Sequence, residues 1–371
     1  MTAKTGLTES RPKPAGGGRS FGFFLRWEWL LVLLIILVTI GNALLSPFFL
    51  QVNNLMRASS DFMELGLMML PMVFVIISNN IDLSVASTLG MTASFMGWLF
   101  NAGWNIWAAA GAALLLGAAA GALNGLLISR LRLPALVVTL GTYAFYRGMA
   151  YALLGDEAAR GYPAAFNFLG QGRLFAFRLP FSVVLFAVLA LIFGLVLHKT
   201  TFGRQVYAIG NNEEAARFAG VPVGRNKLII FTVSGLMAAL AGLVLAARFG
   251  STRPDIGTGL ELDVITATVL GGISINGGRG TMPGAVLSLI LIGLLRYGMS
   301  LLNIQGQVQS VIIGLLLIGS ILVPNLLRAA TQHKGRWVTR GALMRTAGAV
   351  AVAAVFLVFF FWSRSLLPPG G

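Results

Sequence analysis

Apolar windows of membrane-spanning length recur along this chain, and that recurrence constrains its fold more than any other feature. A helix needs about 20 apolar residues to cross a bilayer, because 1.5 Å per residue must cover a hydrocarbon core about 30 Å thick. Windows of that kind fall at about 27–45, 62–80, 83–100, 105–129, 135–155, 180–197, 228–249, 262–278, 282–302, 307–327 and 342–362. Only 11% of the residues are charged, whereas a soluble domain carries about 25%. The expected fold class is therefore an all-α polytopic membrane protein. It has about ten core transmembrane helices and one extra C-terminal transmembrane helix, with no stretch left for a soluble domain with its own core.

The net charge of +15 does not mark a nucleic-acid binder, because Lys and Arg sit in short connectors and at both ends. Membrane orientation produces that distribution, since cytoplasmic loops retain basic residues. With the basic segment 1–26 inside as a disordered tail, Arg130, Arg132, the stretch 198–227, Arg279 and Arg328 to Arg345 all fall inside. The loop 156–179 falls outside although it holds Arg160, Arg173 and Arg178, which suggests that it folds over the outer face. The first apolar run is longer than a signal-peptide core and lacks a small-residue cleavage site, so it reads as a retained anchor.

Two segments repeat. Ile81–Gly90 matches Leu262–Gly271 at a constant offset of 181 residues, pairing Asp82 with Asp263, Ala86 with Ala267 and Gly90 with Gly271. The first copy begins a span running outward and the second a span running inward, the pattern of inverted-repeat transporters whose path follows the repeat interface.

Between two spans lies a charged insert, 199–227. Within it Asn212 reads as the N-cap of a short helix with Glu213 and Glu214 in its first turn, ended by Gly220 and Pro222. So short a helix is not stable alone in water and must pack against something.

Ser78, Asn79, Asn80, Asp82 and Ser84 are costly in lipid and must face protein, water or substrate. Two Asn and a Ser fit a broken segment lining a cavity, as part of a translocation path or its gate. Asp82 has a second reading, as cap of the following helix with Ser84 assisting. Ser274 and Asn276 lie in a second broken, Gly-rich stretch, 271–280. Tyr143, Tyr146 and Arg147 have the chemistry to bind sugar hydroxyls, or to anchor a helix at the interface. Gly117, Gly121 and Gly125 share one helix face and permit close helix contact. Glu28 and Glu64 lie near span ends, where snorkelling or pairing is expected.

Several classes of chemistry are excluded. Cys is absent, so disulfides and thiol catalysis are out, and His198 and His333 are too far apart in sequence to suggest a metal site. The Gly-rich stretch is not followed by Lys-Ser/Thr, so the chain does not bind ATP through a P-loop. No Ser/His/Asp or paired-carboxylate set supports an enzyme, and no cofactor is expected. An ion-coupled carrier would need a titrating intramembrane carboxylate, for which Asp82 is the candidate.

The insert TTFGRQVYAIGNNEEAARFAGVPVGRNK, the segment 79–84, Asn124 with Gly125, the run from Leu133 to Thr142 and the run from Leu270 to Thr281 together resemble the permease subunits of ribose-type ABC sugar importers, over about residues 30–327. The resemblance implies a non-catalytic permease domain over 27–327, in the bacterial inner membrane with a cytoplasmic N-terminus. The implied partners are a cytoplasmic ABC ATPase, a periplasmic sugar-binding protein and a second permease copy or paralogue, within membrane lipid. It also makes Glu213, Glu214, Ala215, Ala216, Arg217 and Gly220 part of the coupling helix gripped by the ATPase. The sequence around 250–266 resembles the rhamnose-type branch, with autoinducer-2, ribose and xylose permeases as alternatives. Two features depart from the family: Asn79 and Asn80 stand where Gly-Gly is usual, and the segment 328–371 adds a basic linker and an extra span.

Overall fold

The computed structural model of the chain describes residues 27–174, 179–315 and 318. The segment 1–26, the additional span and its linker at 328–371, and His333 lie outside the described residues. The elements in order are α1 (Trp27–Leu45), α2 (Val52–Ser60), α3 (Met63–Ile77), α4 (Val85–Asn101), α5 (Ile106–Arg130), α6 (Ala135–Leu154), β1 (Ala159–Arg160), α7 (Ala164–Gln171), β2 (Arg173–Leu174), β3 (Leu179–Pro180), α8 (Phe181–Lys199), α9 (Thr201–Asn211), α10 (Glu213–Phe218), α11 (Val223–Phe249), β4 (Ser251–Thr252), α12 (Leu260–Leu270) and α13 (Met282–Leu301). A shorter apolar helix, α14 (Gly306–Leu315), follows. Among the described residues the protein is all-α apart from two antiparallel ladders of two-residue strands, β1 with β4 and β2 with β3.

Among the described residues, α1, α5, α8, α11 and α13 are long and apolar enough to cross a membrane. The pair α2–α3, bent by 51° at its junction, makes a sixth if it counts as one span. Two expected spans are shorter than the hydropathy windows. The window 62–80 ends at Ile77, where the chain breaks, and the window 262–278 yields only the 11 residues of α12 before Gly271 and Gly272 stop it. At 1.5 Å per residue α12 is about 16 Å long, half a bilayer core.

The core is built around α3, all 15 of whose residues are buried. Pro71 sits inside it, tolerated because neighbouring helices rather than lipid surround the freed carbonyl. The tightest helix pair is α5 with α11. Gly117, Gly121 and Gly125 lie against Gly235, Phe231 and Leu228, and a Cβ on Gly125 would stand 3.0 Å from the Leu228 Cα. Backbones can come this close only because no side chain intervenes, as small-residue faces in membranes allow.

The described part of the loop, residues 156–174, covers one end of the bundle. β1 pairs with β4, Tyr162 donates to the Thr252 hydroxyl at 2.8 Å, and the Gln171 amide donates to the Ala247 and Arg248 carbonyls. Burial pushes the Tyr162 hydroxyl up to about 12 against the opposing effect of that bond, so it stays protonated near neutral pH. At the same end Arg248 pairs with buried Glu64 at 2.8 Å and exposed Asp61 at 2.7 Å. Glu28, the other acid at a span end, accepts from Thr281 at 2.8 Å.

Between β4 and α12 the chain runs through non-helical residues 253–259, deep enough to touch the first turns of α4: a Cβ on Gly257 would meet Leu89. Backbone carbonyls at that depth need donors. Arg147 supplies them, to Pro254 at 2.8 Å, Ile256 at 3.0 Å and Ala86 at 3.1 Å.

Candidate functional site

Opposite the covered end, α10 stands out of the bundle. Asn212 caps it by accepting from the Ala215 amide at 2.9 Å, and Gly220, at φ 82, ends it. Glu213 holds Arg217 one turn on at 3.0 Å and Lys227 on α11 at 2.7 Å. Ala216 is 5% exposed and packs with Ile209 and Val223. The short helix therefore finds part of its support in its own chain. Glu214 and Ala215 face outward, and Phe218 is 92% exposed. An aromatic ring so fully in the open at the end of a charged helix is unusual. It stood in the sequence as the one aromatic within EEAARF.

Immediately before α10, the end of α9 touches both broken stretches. The Gly278 amide donates to the Ile77 carbonyl at 2.8 Å, joining the stretch 271–280 to the end of α3. Gly210 lies against both partners of that bond, with no room for a side chain. One turn back, the Tyr207 hydroxyl donates to the Gly280 carbonyl at 2.7 Å. Burial raises the Tyr207 hydroxyl above its ordinary value, which keeps it a donor at neutral pH.

The first break is a Schellman stop. The Asn80 amide bonds to the Val75 carbonyl and the Asn79 amide to the Ile76 carbonyl, with Asn79 left-handed at φ 60. Asn is the commonest non-Gly residue in that conformation. Asn79 thus holds a left-handed conformation that a glycine also adopts readily, and the Asn pair adds side-chain amides. Asn80 donates its amide to Ser78, while Asn79 is exposed.

Between the two breaks, α10 and the α5–α6 turn lies a cavity of about 560 Å³. It brings together five of the sequence candidates: Asn79, Asn80 and Asn276 from the breaks, Glu213 and Arg217 from α10. Arg132 and Lys227, which were not singled out for a site, also line it. Ser274 is not among the lining residues; it closes its own turn, its amide donating to Arg279 and its carbonyl accepting from Gly277.

Asp82 and Ser84 form a buried knot beside the cavity. One Asp82 carboxylate oxygen accepts from the Ser84 amide at 2.9 Å and the Ser84 hydroxyl at 2.6 Å, and the other accepts from Ser234 on α11 at 2.9 Å. Asn124 on α5 donates to the Ser84 hydroxyl at 2.9 Å. The N-cap position of α4 is Ser84, which makes no side-chain capping bond, so Asp82 is not a cap in the strict sense; it holds Ser84 in place and ties the start of α4 to α5 and α11.

On α6, the Tyr146 hydroxyl donates to the Ala120 carbonyl at 2.9 Å, pinning α6 to α5. Tyr143 is half-buried on the same helix, one turn from Arg147. Arg147 itself is committed to the three carbonyls above. No cluster of His, Cys, Asp and Glu able to hold a metal ion occurs among the described residues.

The family described as branched-chain amino acid transport system / permease component matches residues 54–321. The autoinducer 2 import system permease protein LsrD of Klebsiella pneumoniae is 38% identical over 298 residues, spanning 79% of this chain and 90% of the relative. The proteins of the same name from Yersinia pseudotuberculosis and Photorhabdus laumondii are 37% and 36% identical, over 81% and 80% of this chain and 90% of each relative. No solved structure matches the chain.

Proposed function

Because the chain belongs to the permease family of ribose-type ABC sugar importers, in the branch shared with autoinducer 2 permeases, we propose that it is the non-catalytic channel of such an importer, with autoinducer 2 as its cargo. Permeases of this family are multi-pass inner-membrane proteins. On this reading the α10 end is cytoplasmic, as the basic residues of 198–227 and Arg132 favour. A separate ATPase grips α10, a periplasmic binding protein delivers the solute to the covered end, and a second permease copy or paralogue completes the path. The names of the relatives move the cargo from a rhamnose-like monosaccharide, which the stretch 250–266 resembles, to autoinducer 2. The core has about ten spans in this reading, with α6 a full-length but less apolar crossing and α4, α12 and α14 contributing to crossings that are broken or short.

One observation carries the mechanism: the end of α9 is wedged against both broken stretches, through Gly210 at the Ile77–Gly278 bond and Tyr207 at Gly280. When ATPase closure displaces α10, α9 moves with it, and the force arrives where α3 and α12 both end. Packed elements respond to such a push as rigid bodies. An inverted arrangement of the repeat copies would fit this rocking, and two contacts support it: Gly257, just before α12, adjoins Leu89, late in the first copy, while the stretch after the second copy joins Ile77, just before the first. Asn79, Asn80 and Asn276 then line the inner mouth as uncharged partners for solute hydroxyls.

The reading is tested by reconstituting the chain with its ATPase, partner permease and binding protein in proteoliposomes. Uptake of autoinducer 2 should require ATP and binding protein and exceed that of rhamnose, ribose and xylose. A higher rate for rhamnose moves the cargo back to the monosaccharide. Uptake by this chain alone under an imposed proton or sodium gradient sinks the ABC mechanism. Both Asp82 carboxylate oxygens are engaged by serines, which argues against its use as a coupling-ion site.

A further inference from the structure

The geometry points to a second use of the cavity at α10: binding a hydroxyl-bearing phosphate monoester that restrains the coupling helix. The space, about 560 Å³, falls within the range of small-molecule sites, about 300–1,000 Å³. Its charge is unbalanced. Arg132, Arg217 and Lys227 line it against one carboxylate, Glu213, whose two oxygens are already shared between Arg217 and Lys227. Arg132 has no carboxylate within ion-pair distance among the described residues, and its backbone is held left-handed at φ 56 on the α5–α6 turn.

Two long helices also begin at the wall. α6 starts after Pro134 and α11 after Pro222, and neither proline can cap the first-turn amides with a side chain. Uncapped helix starts carry unsatisfied N–H groups and partial positive charge, which favour phosphate. Guanidinium groups add bidentate recognition of phosphate oxygens. Asn79, Asn80 and Asn276 offer neutral amides to hydroxyls on the same ligand. Bound there, a phosphate bridges Arg217 on α10 to Arg132 on the bundle, and α10 loses freedom to move. This consequence rests on α10 being the ATPase-driven element; the binding itself does not.

A soluble sugar phosphate and an anionic phospholipid headgroup share this chemistry, and Leu133 and Leu136 at the cavity are exposed enough to admit lipid. The experiment separates the two sources. Full-length protein in phosphatidylcholine nanodiscs is titrated calorimetrically with glucose 6-phosphate, with glucose and inorganic phosphate as controls. The expected result is saturable binding of the phosphate monoester, none of glucose, and weakening of about tenfold or more in Arg132→Asn, which tolerates the left-handed backbone, and in Lys227→Gln. Nanodiscs containing phosphatidylglycerol form the second arm; Arg132-dependent thermal stabilisation that competes with glucose 6-phosphate identifies the headgroup as the source. Absence of binding in both arms, or binding unchanged in both variants, overturns the site. In the assembled transporter, saturating ligand should slow ATP hydrolysis about twofold or more; an unchanged rate with intact binding overturns the restraint and leaves the site standing.

Discussion

Replacing Phe218 with Ala tests whether α10 is a docking element. The ring is 92% exposed, and a Phe side chain offers about 150–250 Å² for burial, so roughly 140–230 Å² awaits a partner. At about 25 cal/mol per Å² that area is worth about 3.5–6 kcal/mol of gross transfer free energy. Ordering losses reduce the net, and interface truncations of this kind cost about 2–4 kcal/mol, or roughly 30- to 1,000-fold in affinity. The folded permease itself loses almost nothing, because an exposed side chain away from caps and cores contributes within about 0.5 kcal/mol. The assay is paired: affinity of the purified ATPase for nanodisc-embedded permease, and thermal stability of the permease alone. Ala216→Leu, two residues away, is the contrasting case. Ala216 is packed on Ile209 and Val223, so the larger side chain should destabilise the permease by about 1–3 kcal/mol before any partner is added. If Phe218→Ala leaves the ATPase affinity within twofold, or melts the isolated permease several degrees early, the assignment of that face is wrong.

Gly235→Leu should drive α5 and α11 apart, since a Cβ there already meets the backbone of Gly117 and Gly121; loss of about 3 kcal/mol or more is expected, read as early melting or aggregation in size-exclusion chromatography. Arg147→Leu strands the Pro254 and Ile256 carbonyls, at about 1–3 kcal/mol for each that stays dry, and should accelerate hydrogen exchange across 253–260 specifically. Arg248→Met leaves the buried Glu64 carboxylate unpaired and should cost about 3–5 kcal/mol in thermal unfolding, most of it recovered when Glu64→Gln is added; equal damage from the single and double variants would show that the ion pair is not the cause.

The helical membrane architecture was legible from hydropathy because the pattern is global and redundant. The three glycines of α5 also read true: their spacing fixes one face, and α11 occupies it. Helix ends were harder. Apolar Val, Ile and Leu continue through α12 into Ile273 and Ile275, so a composition window runs past Gly271 and Gly272, where the backbone turns. Side-chain roles were least legible where one residue type serves two purposes. Tyr146 and Arg147 carry chemistry suited to a sugar, yet Tyr146 is engaged with the Ala120 carbonyl of α5, and Arg147 answers a demand set by the non-helical segment 253–259, more than 100 residues away in sequence. Arg132 read only as a topological marker, because its closeness to Lys227 and Arg217 depends on the bundle.

On the proposed function, stiffness and give are divided between neighbouring structures. The Asp82 knot joins α4, α5 and α11 through four hydrogen bonds that lie within the buried interior, where polar networks are strong and costly to break. It cannot yield cheaply, so it suits a pivot. The breaks at 78–80 and 271–280 contain the left-handed positions Asn79, Gly272, Gly277, Gly278 and Gly280, and they meet α9 at the close approach of Gly210 and the Tyr207 hydrogen bond to Gly280. They are where motion is least expensive. A force entering through α10 therefore meets a soft joint before a rigid one, and the rigid one keeps α4, α5 and α11 moving together. Weakening the joint by Tyr207→Phe should then reduce transport per ATP hydrolysed while leaving the melting temperature within a few degrees, since only one partly exposed hydrogen bond, about 1 kcal/mol, is lost. A variant that instead transports normally per ATP would mean that the force reaches α3 by some route other than the Gly280 contact.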